Sequence, residues 1–139
     1  MNNYELIEIS EKISEKMIKA ILEANDKISY ENKKLPLSTN DGIWMINIKD
    51  IIRMEGDGSY TKIYLLNGKC IHIAKTIKAY EALLYDYKFE RIHKSHLINL
   101  LHVKKYYKNE GSYVLMEDGK EIGVAKIKRE KLMVRLQLL

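Results

Sequence analysis

From Gly42 onward the chain signals a turn about every ten residues, and that rhythm constrains the fold more than any other feature of its sequence. IWMINI (43–48), IIRME (51–55), TKIYLL (61–66) and KCIHI (69–73) are short apolar runs, brief enough for strands and too brief for ordinary helices. GDGS (56–59) between the second and third reads as a wide loop. Asn67-Gly68 between the third and fourth predicts a type I′ hairpin, because both turn positions then need positive φ. ERIH, LINL, VKKYY, SYVLM and IGVA (122–125) follow, with NEGS (109–112) and EDGK (117–120) as turns. Such spacing favours an antiparallel, mainly-β domain over a parallel sheet with crossover helices.

Three stretches carry helical periodicity instead. Residues 3–31 repeat apolar side chains at three- and four-residue steps: Leu6, Ile9, Ile13, Met17, Ala20, Ile21, Ala24 and Ile28. Asn2 and Glu5 stand at capping-box spacing. KTIKAYEALLYDY predicts a short helix with Thr76 as its N-cap and Ile77, Tyr80, Leu83 and Leu84 on its buried face. KIKREKLMVRLQLL closes the chain as a helix with Leu132, Leu136 and Leu139 on one side. Residues 31–42, with the only proline and several turn formers, read as a linker. The organisation expected is a helical leader and linker over 1–40 and one domain over 41–139.

Charge divides along the same boundary. The first 40 residues hold 6 Lys/Arg against 7 Asp/Glu, and the rest hold 18 against 12. A neutral leader before a basic domain suggests a polyanionic partner, nucleic acid before anionic membrane. No apolar run approaches a membrane span, and the N-terminus lacks a signal-peptide core. A single cysteine, Cys70, leaves no internal disulfide and fits the cytoplasm.

Enzyme chemistry finds little support. The G-x-S-x-G, H-E-x-x-H and phosphate-cradling glycine motifs are absent. Cys70, inside a predicted strand, reads as buried rather than nucleophilic. His93, His96 and His102 have a spacing that resembles a metal set. Lys94, Lys104 and Lys105 crowd them, and Glu90 is the only acid from 88 to 108, so a cation site is electrostatically poor. No cofactor is implied.

The same crowding suits anion recognition. Lys88, Arg91, Lys94, Lys104, Lys105 and Lys108 fall within 21 residues. Such cations, with hydroxyls like Ser95, hold phosphates. Asn99 is chemically able to pair an adenine edge, or to satisfy its own turn, and its position in the sequence does not choose. His93 and His96 are equally open to a half-buried structural role.

FERIHKSHLINLLHVKKY (89–106) resembles the signature of the LytTR-type DNA-binding domain of bacterial response regulators, F-x-R-x-H-R-S-x-x-V-N-x-x-x-I. Phe89, Arg91, His93, Lys94, Ser95, Ile98, Asn99 and Val103 occupy its places. DGIWMINIKDIIRMEGDGSYTKIYLLNGK, TIKAYEALL and IGVAKIKREKL are similar to the family's opening strands, internal helix and closing segment, so the resemblance spans about residues 36–137. It implies an elongated arrangement of small antiparallel β-sheets with short helices, here preceded by an amphipathic N-terminal helix. Loops, rather than an inserted helix, then enter the major groove of double-stranded DNA.

Carried over, the resemblance assigns DNA contact to three segments: Gly58 to Thr61, His93 to Asn99, and Lys126 to Arg129. It makes Asn99, His93, Ser59, Tyr60 and Thr61 base contacts. Arg91, Lys94, Ser95, His96, Lys104, Lys105, Lys126, Lys128 and Arg129 become phosphate contacts. Two departures stand out. Val124-Ala125-Lys126 replaces the usual V-S-R, and Lys94 replaces an arginine, which removes a rigid two-pronged donor at each place. The function implied is a sequence-specific, non-enzymatic transcription regulator of a bacterial two-component system, on paired direct repeats. The alternative is a protein-interaction module of the same fold with degraded DNA specificity. Such domains commonly follow a receiver, which forty residues cannot form. The chain therefore reads as a piece of a longer regulator or as a free-standing one, whose leader either pairs two copies or packs on its own domain.

Overall fold

The computed structural model describes residues 14–24, 30–109 and 111–139. It divides into two units, Met1–Lys33 and Lys34–Leu139. In the first, residues 14–24 form helix α1, with a further helical turn at 30–32. Met17, Ile18, Ile21 and Leu22 of α1 are all exposed. The Asn2/Glu5 capping box and the stripe positions Leu6, Ile9, Ile13 and Ile28 lie outside the described residues.

The second unit is mainly β. A two-stranded hairpin joins β1 (Lys34–Thr39) to β2 (Gly42–Asn47). A five-stranded sheet contains β3 (Ile51–Asp57), β4 (Tyr60–Leu65), β5 (Cys70–Ile73), β6 (Phe89–His93) and β7 (His96–Asn99), in the order β5-β4-β3-β7-β6. A three-stranded sheet, order β10-β9-β8, contains β8 (Val103–Tyr107), β9 (Tyr113–Met116) and β10 (Glu121–Gly123). Every pairing is antiparallel. Helices α2 (Ile77–Leu84) and α3 (Arg129–Gln137) complete the unit.

Adjacent residues of the central strands feed two different cores, as the two-residue period of a strand requires. Ile51 and Met54 of β3 and Leu97 of β7 join a cluster with Leu35, Leu37, Ile63, Phe89 and the α2 residues Ile77, Tyr80 and Leu84. Ile52 and Ile98 join a second cluster with Val114, Met116, Ile122 and Leu132 of α3. Each such side chain contributes about 1.5–3 kcal/mol by leaving water. Glu90 of β6 fastens α3 by its charge. It is 3% exposed and meets Arg135 directly and Lys131 Nζ at 3.5 Å, while Arg135 Nη1 also donates to the Phe89 carbonyl at 2.8 Å.

Several local expectations need correction. The segment read as a linker contains β1, because Leu35 and Leu37 alternate into the core while Pro36 stays on the exposed side of a two-stranded sheet, where a missing N–H is tolerated. GDGS is a tight turn: β3 runs to Asp57, β4 starts at Tyr60, and Gly58 takes φ +62° in the two-residue hairpin. Asn67-Gly68 is not type I′. Gly68 has φ +85°, Asn67 does not have positive φ, and Gly68 N donates to Leu65 O at 3.0 Å, as in a type I turn closed by a left-handed glycine. Leu83 and Leu139 are exposed, and Cys70 is exposed rather than buried.

Candidate nucleic-acid interface

The turn between β6 and β7 is the hub of a surface built from turns. Only Lys94 and Ser95 separate the strands, which pair at His93 and His96. The Ser95 N–H donates to His93 Nδ1 at 3.1 Å, so the neutral imidazole carries its proton on Nε2. The Ser95 carbonyl accepts from Gly56 N at 2.9 Å, which ties the β3–β4 turn alongside. The Ile92 carbonyl accepts from Ala125 N at 2.8 Å, which ties the segment before α3 on the other side. The pairing slips by one residue between Arg91 and His93, a bulge that frees the Ile92 carbonyl for that contact.

Two shallow hollows flank Lys94 as a result. Glu81, Arg91, His93, Lys94, Ala125, Ile127 and Lys128 line one. Gly56, Gly58, Thr76, Ile77, Lys78, Arg91, Lys94 and Ser95 line the other. Lys94 is exposed in both, and the cations around it outnumber the acids. Arg91 is partly withdrawn from this charge. Nη1 meets Glu81 Oε2 of α2 at 3.2 Å and Nη2 donates to the Lys94 carbonyl, so the guanidinium braces the turn from beneath.

The three segments assigned from sequence thus lie together, but not every residue in them faces outward. Ser59, Tyr60, His93, Lys94 and Lys126 are exposed, and Ser95, His96, Lys128 and Arg129 are half-buried. Asn99 and Thr61 require correction as base contacts. Asn99 is 0% exposed; its Nδ2 donates to Ile51 O at 3.0 Å and its Oδ1 accepts from Leu101 N at 3.1 Å. Thr61 is equally buried, and its Oγ1 donates to the Lys75 carbonyl at 2.6 Å. Lys104 and Lys105 are exposed on β8 of the other sheet, outside both hollows, and the Lys105 ammonium lies 4.5 Å from the Tyr107 ring centre. Arg129 Nε reaches the Val124 carbonyl at 3.3 Å.

The histidines separate in the same way. The His93 and His96 rings are 5.4 Å apart, whereas His102 Nε2 donates to the Lys49 carbonyl at 2.6 Å. Burial holds the His96 pKa below the usual imidazole range; Glu55 pulls it up, and His93, Arg53 and Lys120 push it down. His96 therefore sits neutral at pH 7. Among the described residues, no three His, Cys, Asp or Glu gather as a set able to hold a metal.

Sequence reasoning gave no role to two residues of this surface, Lys78 and, within the assigned Lys126 to Arg129 segment, Ile127. Lys78, in the first turn of α2, faces Lys94 across the second hollow, and the Lys75-Thr76-Ile77-Lys78 run at a helix start is the signal that marks it. Ile127, between Lys126 and Lys128, is 88% exposed. An isoleucine flanked by lysines looks unremarkable without the fold.

A family model for the LytTr DNA-binding domain matches residues 41–137. The transcriptional regulatory protein LytR of Staphylococcus aureus (strain N315) is 29% identical over 105 residues, 74% of this chain and 42% of that protein. The heme-containing CO-sensing transcriptional regulator RcoM 2 of Paraburkholderia xenovorans (strain LB400) is 28% identical over 88 residues, 63% of this chain and 33% of that protein. The chain thus spans well under half the length of these curated relatives. A solved LytTr DNA-binding domain from Bacillus cereus superposes with a TM-score of 0.64 at 20% identity, covering 76% of this chain and 97% of that one. It shares the fold of small antiparallel sheets and short helices.

Proposed function

Since this chain belongs to the LytTr DNA-binding domain family, we propose that it is a sequence-specific regulator of transcription whose turns meet the major groove of double-stranded DNA. One observation carries the reading. Backbone hydrogen bonds from Gly56 to Ser95 and from Ala125 to Ile92 hold three turns around the exposed Lys94, so they approach a duplex as one basic surface. In this reading the exposed Lys94 and the Nε2–H of the exposed His93 donate to base acceptors such as those of guanine, with the exposed Ser59 and Tyr60 as further base contacts. Lys78, Lys128 and Ser95, which line the hollows, serve as phosphate ligands together with their chain neighbours Lys126, His96 and Arg129. Lys104 and Lys105 add charge at a distance, and Arg91 braces the turn.

Catalysis and a resident cofactor play no part in this reading. In a bacterial two-component regulator the same unit serves as the output domain in the cytoplasm. Among the described residues no helix is long and apolar enough to cross a membrane. Two copies sit on paired direct repeats. The exposed Met17, Ile18, Ile21 and Leu22 of α1 form a stripe that a second copy covers.

Selection of bound duplexes from a random pool tests the proposal. A recurrent motif present twice at fixed spacing is expected. With about five phosphates neutralised, log affinity falls against log salt with a slope near −4 to −5. Binding that never tightens on any selected sequence refutes sequence-specific reading. That outcome favours the second reading, a protein-interaction module. Its support is three exposed apolar residues, Ile43, Trp44 and Met45, on β2, one of the two edge strands of the two-stranded sheet.

A further inference from the structure

Ile127 is the most exposed large apolar side chain among the described residues, at 88%. It lies in a short 3-10 turn, Lys126–Lys128, that joins the segment after β10 to α3. Lys128 N donates to Ala125 O at 2.8 Å and Ala125 N to Ile92 O at 2.8 Å, so this turn is anchored at its base while Ile127 points away from both cores. Its neighbours across the hollow are His93, Lys94 and Lys128. An isoleucine so exposed is ordinary when solitary on a neutral surface. Here it stands beside the cations Lys94, Lys126 and Lys128, where an anionic partner is favoured.

A duplex offers one apolar group on the floor of its major groove, the C5-methyl of thymine. We propose that Ile127 reads a thymine methyl, making it a specificity-determining residue of the site. The inference rests on the DNA-binding reading above and adds to it a base identity. Lys126 and Lys128 on either side hold the backbone phosphates while the branched side chain between them reaches the groove floor. The chemistry is burial of one methyl group against a γ- and δ-carbon surface, without a hydrogen bond. Its contribution is therefore small, position-specific and independent of salt.

The test uses the full chain and the duplex selected from the random pool. Each thymine in turn is replaced by deoxyuridine, which lacks only the methyl group. At one position the wild type is expected to lose about fourfold in affinity, the value of one buried methyl. Ile127→Ala is expected to bind the parent duplex more weakly and to be indifferent to uracil at that same position. Its affinity for random DNA should be nearly unchanged, and so should its folding, because the side chain packs on nothing. A selected motif without thymine overturns the proposal. So does a wild type indifferent to every uracil, or a variant that keeps the wild-type sensitivity. An Ile127→Ala chain with wild-type DNA binding but an altered oligomeric state assigns the residue to a protein contact instead. If the wild type selects no duplex at all, the DNA reading itself fails, and this inference falls with it; selectivity combined with uracil indifference sinks the inference alone.

Discussion

Asn99 and Ile51 are joined across 48 residues of sequence by a single hydrogen bond, Nδ2 to carbonyl, at 3.0 Å. The same amide caps the turn that follows by accepting from Leu101 N. Asn99 therefore knots the end of β7 to the start of β3, and the signature asparagine is a packing residue. Asn99→Ala leaves the buried Ile51 carbonyl without this partner, at about 1–3 kcal/mol, and the part-buried Leu101 N–H without its cap, at less. The expected loss is about 2–4 kcal/mol in urea denaturation, with the ratio of selected to random DNA affinity unchanged while the chain stays folded. A variant of normal stability with a collapsed ratio would restore Asn99 to base reading.

Lys94 and Lys105 both read as cations of one basic stretch, yet one stands at the hub of the turns and the other on β8. Lys94→Ala should cost roughly 1–3 kcal/mol on the selected duplex and much less on random DNA. Lys105→Ala should change both DNAs alike and only slightly. Competition binding at fixed salt separates the two, and equal behaviour of the variants would contradict the geometry.

What the sequence made legible follows a physical rule. Features written locally came through: short alternating strands and Thr76 at the N-cap position of α2, though its side chain makes no cap bond, while the grouping of three turns was implied by the family resemblance rather than by any local signal. Features set by distant partners did not. Nothing near Asn99 or Thr61 announces that Ile51 and Lys75 supply their hydrogen-bond partners. The Leu35/Leu37 alternation was obscured by the proline between them, which becomes acceptable only once β1 is known to lie in a two-stranded sheet. The Asn67-Gly68 pair marked a turn correctly but its type wrongly, because Leu66 rather than Asn67 opens it. Ile127 became visible only through its exposure.

His96 makes the unit's stability depend on pH. Burial favours its neutral form, so the folded state binds fewer protons than the unfolded chain, whose imidazole titrates near 6.5. Stability from this source is complete above that value and is lost as pH falls below it. The melting temperature should therefore drop between about pH 7.5 and 5, and His96→Gln should flatten the profile relative to wild type. Glu55→Gln removes the charge that opposes the shift and should steepen it. A steeper profile for His96→Gln would contradict this sign.

Glu90 gives the last prediction, because it connects stability to the interface through α3. Its carboxylate lies at the floor of the packing between β6 and α3, and both of its cationic partners come from the helix. Glu90→Ala takes the carboxylate from Arg135 and leaves it the backbone carbonyls of Phe89 and Tyr85 and the face of the Tyr85 ring. Removing one partner of a fully buried pair costs about 3–5 kcal/mol, and the loss here is smaller because Arg135 and Lys131 keep part of their exposure to water. Replacing both, as in Glu90→Leu with Arg135→Met, should recover most of that loss, since apolar packing substitutes for buried ion pairs. The Lys126–Lys128 turn is held between Val124 and α3, so a loosened helix frees Lys126 and Ile127 as well. Selectivity for the chosen duplex should thus fall in Glu90→Ala under conditions where circular dichroism still reports a folded chain, and return in the double variant. Lost stability with intact selectivity would show that the turn is positioned by the Ala125–Ile92 bond alone.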